Sequence, residues 1–180
     1  MKGDRKIMMR MRAFLAVSAL VLGLTGCSGG KSETCQLVQD PAFDTTDVGL
    51  LTERSQSVVV ASVGNSTGTV ESPSDPRTLF PATVIKALKG EPPSTFTIAQ
   101  EGTEKCEVLG TGSKPITPGD YILFVGNKSV KADWYHLWNS IHLNSADLKS
   151  VESGAFAPGQ EKLQKAMKII SDRSKNQSPK

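Results

Sequence analysis

The chain has 180 residues, of which 38% are hydrophobic and 22% charged, enough for one folded domain with an export or tethering segment. Of its 21 basic and 18 acidic side chains, five and one fall within the first 26 residues. The rest of the chain carries 16 and 17, close to neutral, and has no Lys/Arg run of the kind that grips nucleic acid.

Residues 1–12 carry Lys2, Arg5, Lys6, Arg10 and Arg12, and residues 13–24 (AFLAVSALVLGL) are almost wholly apolar. That run is shorter than the roughly 20 residues a spanning helix needs. It has the length of the apolar core of a signal peptide. Met8, Met9 and Met11 leave more than one candidate start, and the absence of an Arg-Arg pair favours the general secretory route. Leu24-Thr25-Gly26-Cys27 resembles the lipobox of bacterial lipoprotein precursors: an aliphatic residue, two small residues and a cysteine. The resemblance implies cleavage between Gly26 and Cys27, thioether lipidation of Cys27 and palmitate-type acylation of the new amino terminus. One acyl chain anchors only marginally, whereas two or three give lasting attachment. The expected location is therefore the extracytoplasmic face of the cell membrane. Ser28 is not the Asp that retains lipoproteins at the inner membrane, so an outer-membrane destination is open in a host with two membranes.

Residues 28–34 (SGGKSET) read as a flexible tether, and Cys35 opens the folded domain. A short helix is expected within 43–55, with Thr45 or Thr46 as cap and Asp47 in its first turn. Strands follow at 57–63, 79–88, 94–100, 121–125 and 134–143, separated by Gly/Ser/Pro-rich loops at 64–77 and 102–116. Asn144 to Asp147 can cap a helical turn through Lys149. Leu163, Ala166, Met167 and Ile170 recur at helical spacing within 160–172, and residues 174–180 are expected to be disordered. Five strands with a leading and a trailing helix suggest a mainly β fold: a small, closed, five-stranded OB-type barrel that leaves no exposed edge. The expected divisions are a removed signal at 1–26, a lipidated tether at 27–34, the barrel at 35–150, a linker and helix at 151–173 and a tail at 174–180.

The order of a cysteine, a short helix, SVVVASV, a strand ending in VIKALKG, a cysteine-containing loop, PGDYILFVGN and a Trp-containing strand resembles the netrin-like barrel of the tissue inhibitors of metalloproteinases. The resemblance spans roughly Cys35 to Lys149. It implies a disulfide between Cys35 and Cys106. The cysteine count agrees, because lipidation of Cys27 leaves two thiols in an exported, oxidising setting. Free thiols or a redox site are the alternatives, although neither cysteine lies in C-x-x-C. Protease inhibition does not carry over. The family presents a free amino-terminal cysteine within Cys-x-Cys, whereas Cys35 is internal and followed by Gln36-Leu37.

Catalytic signals are sparse. His136 and His142 are the only histidines, six apart on one expected strand and hence on one face if that strand is regular. Asp133 and Asp147 are their only nearby carboxylates, too few for a metal site. There is no G-x-S-x-G elbow and no phosphate loop, and Glu101, Glu104 and Glu107 around Cys106 read as a solvated acidic loop. Trp134, His136 and Trp138 share a face, with Tyr135 opposite, and form a candidate binding surface, weighed against simple closure of the core. The expected function is a non-enzymatic, cofactor-free lipoprotein that displays its barrel to an envelope protein or ligand. The alternative is an envelope enzyme or inhibitor-like module acting through loops 64–77 and 101–117.

Overall fold

A computed structural model describes residues 37–38, 44–72, 74–103, 106, 108–109 and 116–176. In chain order they form β1 (Leu37–Val38), α1 (Val48–Arg54), β2 (Ser57–Val63), β3 (Gly68–Val70), β4 (Arg77–Lys89), β5 (Thr95–Glu101), β6 (Val108–Leu109), β7 (Gly119–Lys128), β8 (Tyr135–Leu143), α2 (Ser145–Ser153) and α3 (Glu161–Lys175). The fold is mainly β. A helix precedes the main sheet and another closes the described chain.

The five long strands lie where the apolar pattern puts them. Three short strands were not expected. β3 lies inside the 64–77 loop and pairs with the start of β4, while β1 and β6 pair in parallel. None has an apolar alternation of its own; each is a strand because a partner supplies its hydrogen bonds. The six-stranded sheet runs β2-β7-β8-β5-β4-β3, and β2 also pairs with β4.

β2 and β7 explain their own composition. Every residue of β2 except Ser62 is buried, as are Tyr121–Gly126 in β7. One face of these strands meets Phe80, Ile98 and Leu137 in an inner core built on Val59, Ala61, Leu123 and Val125. The other face carries Val58, Val60, Ile122 and Phe124 under Leu51 of α1, Val151 of α2 and Ile170 of α3. Strands covered on both sides need continuous apolar runs rather than alternation. Each such fully buried side chain contributes about 1.5–3 kcal/mol.

The helix ends refine the expected caps. Asp47, not Thr45 or Thr46, caps α1, its carboxylate accepting from the Gly49 and Leu50 N–H groups at 2.7 and 3.0 Å. The Thr46 hydroxyl is instead taken by Asp44 at 2.7 Å, and a carboxylate suits the positive helix start better than a hydroxyl does. Asn144 and Asp147 make a capping box, and the expected turn grows into α2, which ends on Gly154 at φ 75°. α3 runs through Lys175, so Ser174 and Lys175 are helical rather than part of a disordered tail; Arg173 and Lys175 face the negative helix end. Two lysines of β4 finish the other helices. Lys89 donates to the carbonyls of Thr52, Glu53 and Ser55 at the end of α1, and Lys86 to those of Val151 and Glu152 at the end of α2.

β8 is not regular. Val125 pairs with Leu137 and Phe124 with Asn139, which leaves Trp138 as an extra residue between them. One inserted residue reverses which face the following side chains take. Upstream of it, Tyr135 and Leu137 belong to the inner core; downstream, Ile141 and Leu143 belong to the outer one. The bulged indole lies over Gly126, where a Cβ would come within 2.0 Å of its Nε1.

Candidate binding face

A groove beside β4, β5 and the start of β8 gathers several distinctive side chains. In β4 and β5 the pairs Thr83–Thr95 and Pro81–Thr97 sit directly opposite one another. Phe96 packs edge-to-face on Tyr135, with ring centroids 5.4 Å apart. Together Pro81, Thr83, Thr95, Phe96, Thr97 and Tyr135 line a groove of about 520 Å³. Lys128 and Asp133 complete its wall, joined by a 2.6 Å ion pair, with the Lys128 ammonium 5.9 Å from the Tyr135 ring centroid. The hydrogen bond to Asp133 raises the Lys128 pKa, so the groove keeps one charge of each sign.

A second cluster occupies the Arg77 end of β4. Arg77 is only 5% exposed, a rare state for a guanidinium. Asp75 meets its Nε at 2.7 Å and Glu101 its Nη2 at 3.5 Å, while the Trp134 ring lies 5.3 Å from its central carbon. His136 closes the cluster, edge-to-face on Trp134 at 4.8 Å. Burial first, and then the Arg77 charge, lower the His136 pKa, with Asp75 opposing weakly. The imidazole is therefore a neutral aromatic partner at neutral pH.

No family model matches the chain, and no curated protein matches it in sequence.

The candidate residues from the sequence divide as follows. Gly26, Cys27 and Cys35 lie outside the described residues. Cys106 is 6% exposed. Trp134 and His136 meet at the Arg77 cluster. Trp138 leaves them and packs against the outer core, and Tyr135 packs against the inner one, so the closure reading holds for these two and not for Trp134. The histidines do not share a face. His136 pairs with Ala99, whereas His142 lies beyond the bulge, across from Tyr121 of the inner core and 5.0 Å from its ring. Among the described residues no three His, Cys, Asp or Glu side chains gather as metal ligands, and no helix is long and apolar enough to cross a membrane.

Sequence reasoning missed Phe96, Lys128 and Arg77 as site residues and set Tyr135 aside. A signal for the groove was present in Thr95-Phe96-Thr97-Ile98, where threonines alternate with apolar residues, Thr95 exposed and Ile98 buried. Arg77 had only the nearby Asp75 as a signal, because Glu101 and Trp134 come from separate segments.

Proposed function

We propose that this chain is a lipid-anchored, non-enzymatic lipoprotein of the cell envelope that presents a small OB-type barrel for binding a protein or ligand. The observation that carries the binding half is the groove between β4, β5 and the β7–β8 hairpin, with its aromatic pair, threonines and self-neutralising ion pair. The anchoring half rests on Leu24-Thr25-Gly26-Cys27 behind a basic and then apolar leader.

Supporting a closed barrel is the ring of pairings: β2 with β7, β7 with β8, β8 with β5, β5 with β4, and β4 back to β2. Supporting a Cys35–Cys106 disulfide is the β1–β6 ladder, which pairs Leu37 with Val108 and Val38 with Leu109. Both pairs are 71 residues apart in sequence, as are Cys35 and Cys106. A parallel ladder keeps one offset, and neighbouring strands about 4.8 Å apart suit the Cα separation of a disulfide. Closing a loop of about 70 residues contributes roughly 4 kcal/mol in the chain-entropy view.

The alternative of an envelope enzyme or inhibitor draws on the gathering of Asp75, Glu101 and His136. Both carboxylates face Arg77, however, and no hydrogen bond joins either to the imidazole. The binding reading therefore comes first.

The test follows the full chain in its host. Wild type should take up labelled palmitate and fractionate with membranes, and Cys27→Ser should lose both. Retention of both by Cys27→Ser would overturn the anchor. Crosslinking in intact cells, read by mass spectrometry, should yield a partner that Phe96→Ala and Tyr135→Ala lose; a partner set unchanged in both variants would overturn the groove. Peptide mapping without reductant should find Cys35 joined to Cys106, and recovery of both as free thiols would remove the bridge.

A further inference from the structure

The direction of the β5 backbone can be read from its neighbours. The Val84 N–H donates to the Ser94 carbonyl at 2.8 Å, which makes this a hydrogen-bonded antiparallel pair. Such pairs alternate with non-bonded ones, so Thr83–Thr95 and Pro81–Thr97 belong to the non-bonded kind. Two further contacts agree. The Pro81 carbonyl accepts from the Gly64 N–H at 3.0 Å, and the Leu79 carbonyl from the Thr67 N–H at 2.9 Å, both on the side away from β5. Proline also has no N–H to give β5. The backbone groups of Thr95 and Thr97 therefore point away from β4, toward β8.

β8 does not reach that far. Its parallel pairing with β5 covers only Ile98 with Tyr135 and Ala99 with His136. Continuing that register would set residue 132 opposite Thr95, but the chain there bends into the β7–β8 hairpin, where Asp133 turns to Lys128. The groove of about 520 Å³ lies along this unpaired stretch. Among the described residues, Thr95 has no strand partner on its groove side.

We propose that an extended peptide segment of a partner protein adds to β5 here as a strand. It pairs with the outward backbone groups of Thr95 and with the Thr97 N–H, and it lays alternate side chains against Phe96 and Tyr135. The inference rests on reading the groove as a binding site and names its occupant. Charge favours an uncharged segment: Lys128 and Asp133 neutralise each other, and the rest of the lining is threonine, proline, alanine and aromatic. A nucleic acid or an acidic glycan finds no net positive charge in it.

The test uses the purified full chain and a phage-displayed library of random heptapeptides. The best binder is then synthesised with single N-methylated amides at each position. N-methylation in one alternating set should weaken binding about tenfold, and the other set should not, because only every second amide faces β5. Thr95→Pro removes a groove-facing N–H at the first residue of β5, a place where proline is tolerated. It should weaken binding about tenfold with an unchanged circular dichroism spectrum. Strand addition is overturned if no peptide is enriched, if N-methylation shows no alternation, or if folded Thr95→Pro binds normally. A peptide that binds folded Phe96→Ala and Tyr135→Ala as well as wild type overturns it too. The groove itself is judged separately by the cellular crosslinking of those two variants.

Discussion

The guanidinium carbon of Arg77 lies 5.3 Å from the centroid of the Trp134 ring, with Asp75 and Glu101 on its other sides. The pairing locks the start of β4 to the approach to β8. Arg77→Ala removes the buried stem and leaves two carboxylates facing each other. It should lower stability by about 2 kcal/mol, with Trp134→Ala costing about 1 kcal/mol. Urea unfolding followed by circular dichroism measures both. A change under about 0.5 kcal/mol for Arg77→Ala would show that the cluster is only surface decoration.

His136 gives the fold a pH dependence of known sign. Its pKa is lowered in the folded state, by burial and then by Arg77, so the unfolded chain binds its proton more readily. Stability is then full above the ordinary histidine pKa of 6.5 and declines as the pH falls below it. His136→Gln should flatten the stability profile between about pH 5 and 7. Arg77→Met should raise the imidazole pKa, read by proton NMR titration. An unmoved titration would mean that Arg77 does not influence the ring.

Gly126 and Trp138 make a third test. A methyl group at position 126 would come within 2.0 Å of the indole nitrogen, so Gly126→Ala must shift either the bulge or the ring. The expected cost is about 1–3 kcal/mol, with a red shift of tryptophan emission as the ring is displaced. Wild-type stability and emission would argue that the bulge has room to spare.

Lys89 connects β4 to the end of α1 through three carbonyl groups. Burial lowers its pKa, against the pull of Glu53, yet its donors complete a helix terminus. Lys89→Met keeps the apolar stem and removes those donors, and it should cost about 1–2 kcal/mol. Amide hydrogen exchange should quicken first in α1. Uniform change across the sheet would point to a different cause.

The parts of the fold that sequence exposes are those where one strand's own composition decides. Val58-Val59-Val60 and Ile122-Leu123-Phe124 are apolar at consecutive positions, and the structure buries both faces of each. Leu163, Ala166, Met167 and Ile170 declare α3 for the same reason. The parts that stayed hidden depend on partners. Nothing beside Arg77 announces that Trp134 will cover it from 57 residues away, and Trp138 looks like any strand residue until its pairing with β7 is known. The groove lies one residue out of phase with Trp134, His136 and Trp138: Tyr135, which period two sets opposite them, is the residue that shares it with Phe96. Period two identifies faces only while the strand is regular, and the bulge ended that regularity.

The outer cover of β2 has a consequence for the order in which the molecule becomes stable. Val58 and Val60 are among the first core residues to leave the ribosome, while Ile170, which helps to seal them, emerges more than a hundred residues later. Until then β2 can find its sheet neighbours but not its roof. Vectorial synthesis therefore leaves the outer face of β2 incompletely covered until α3 has been made.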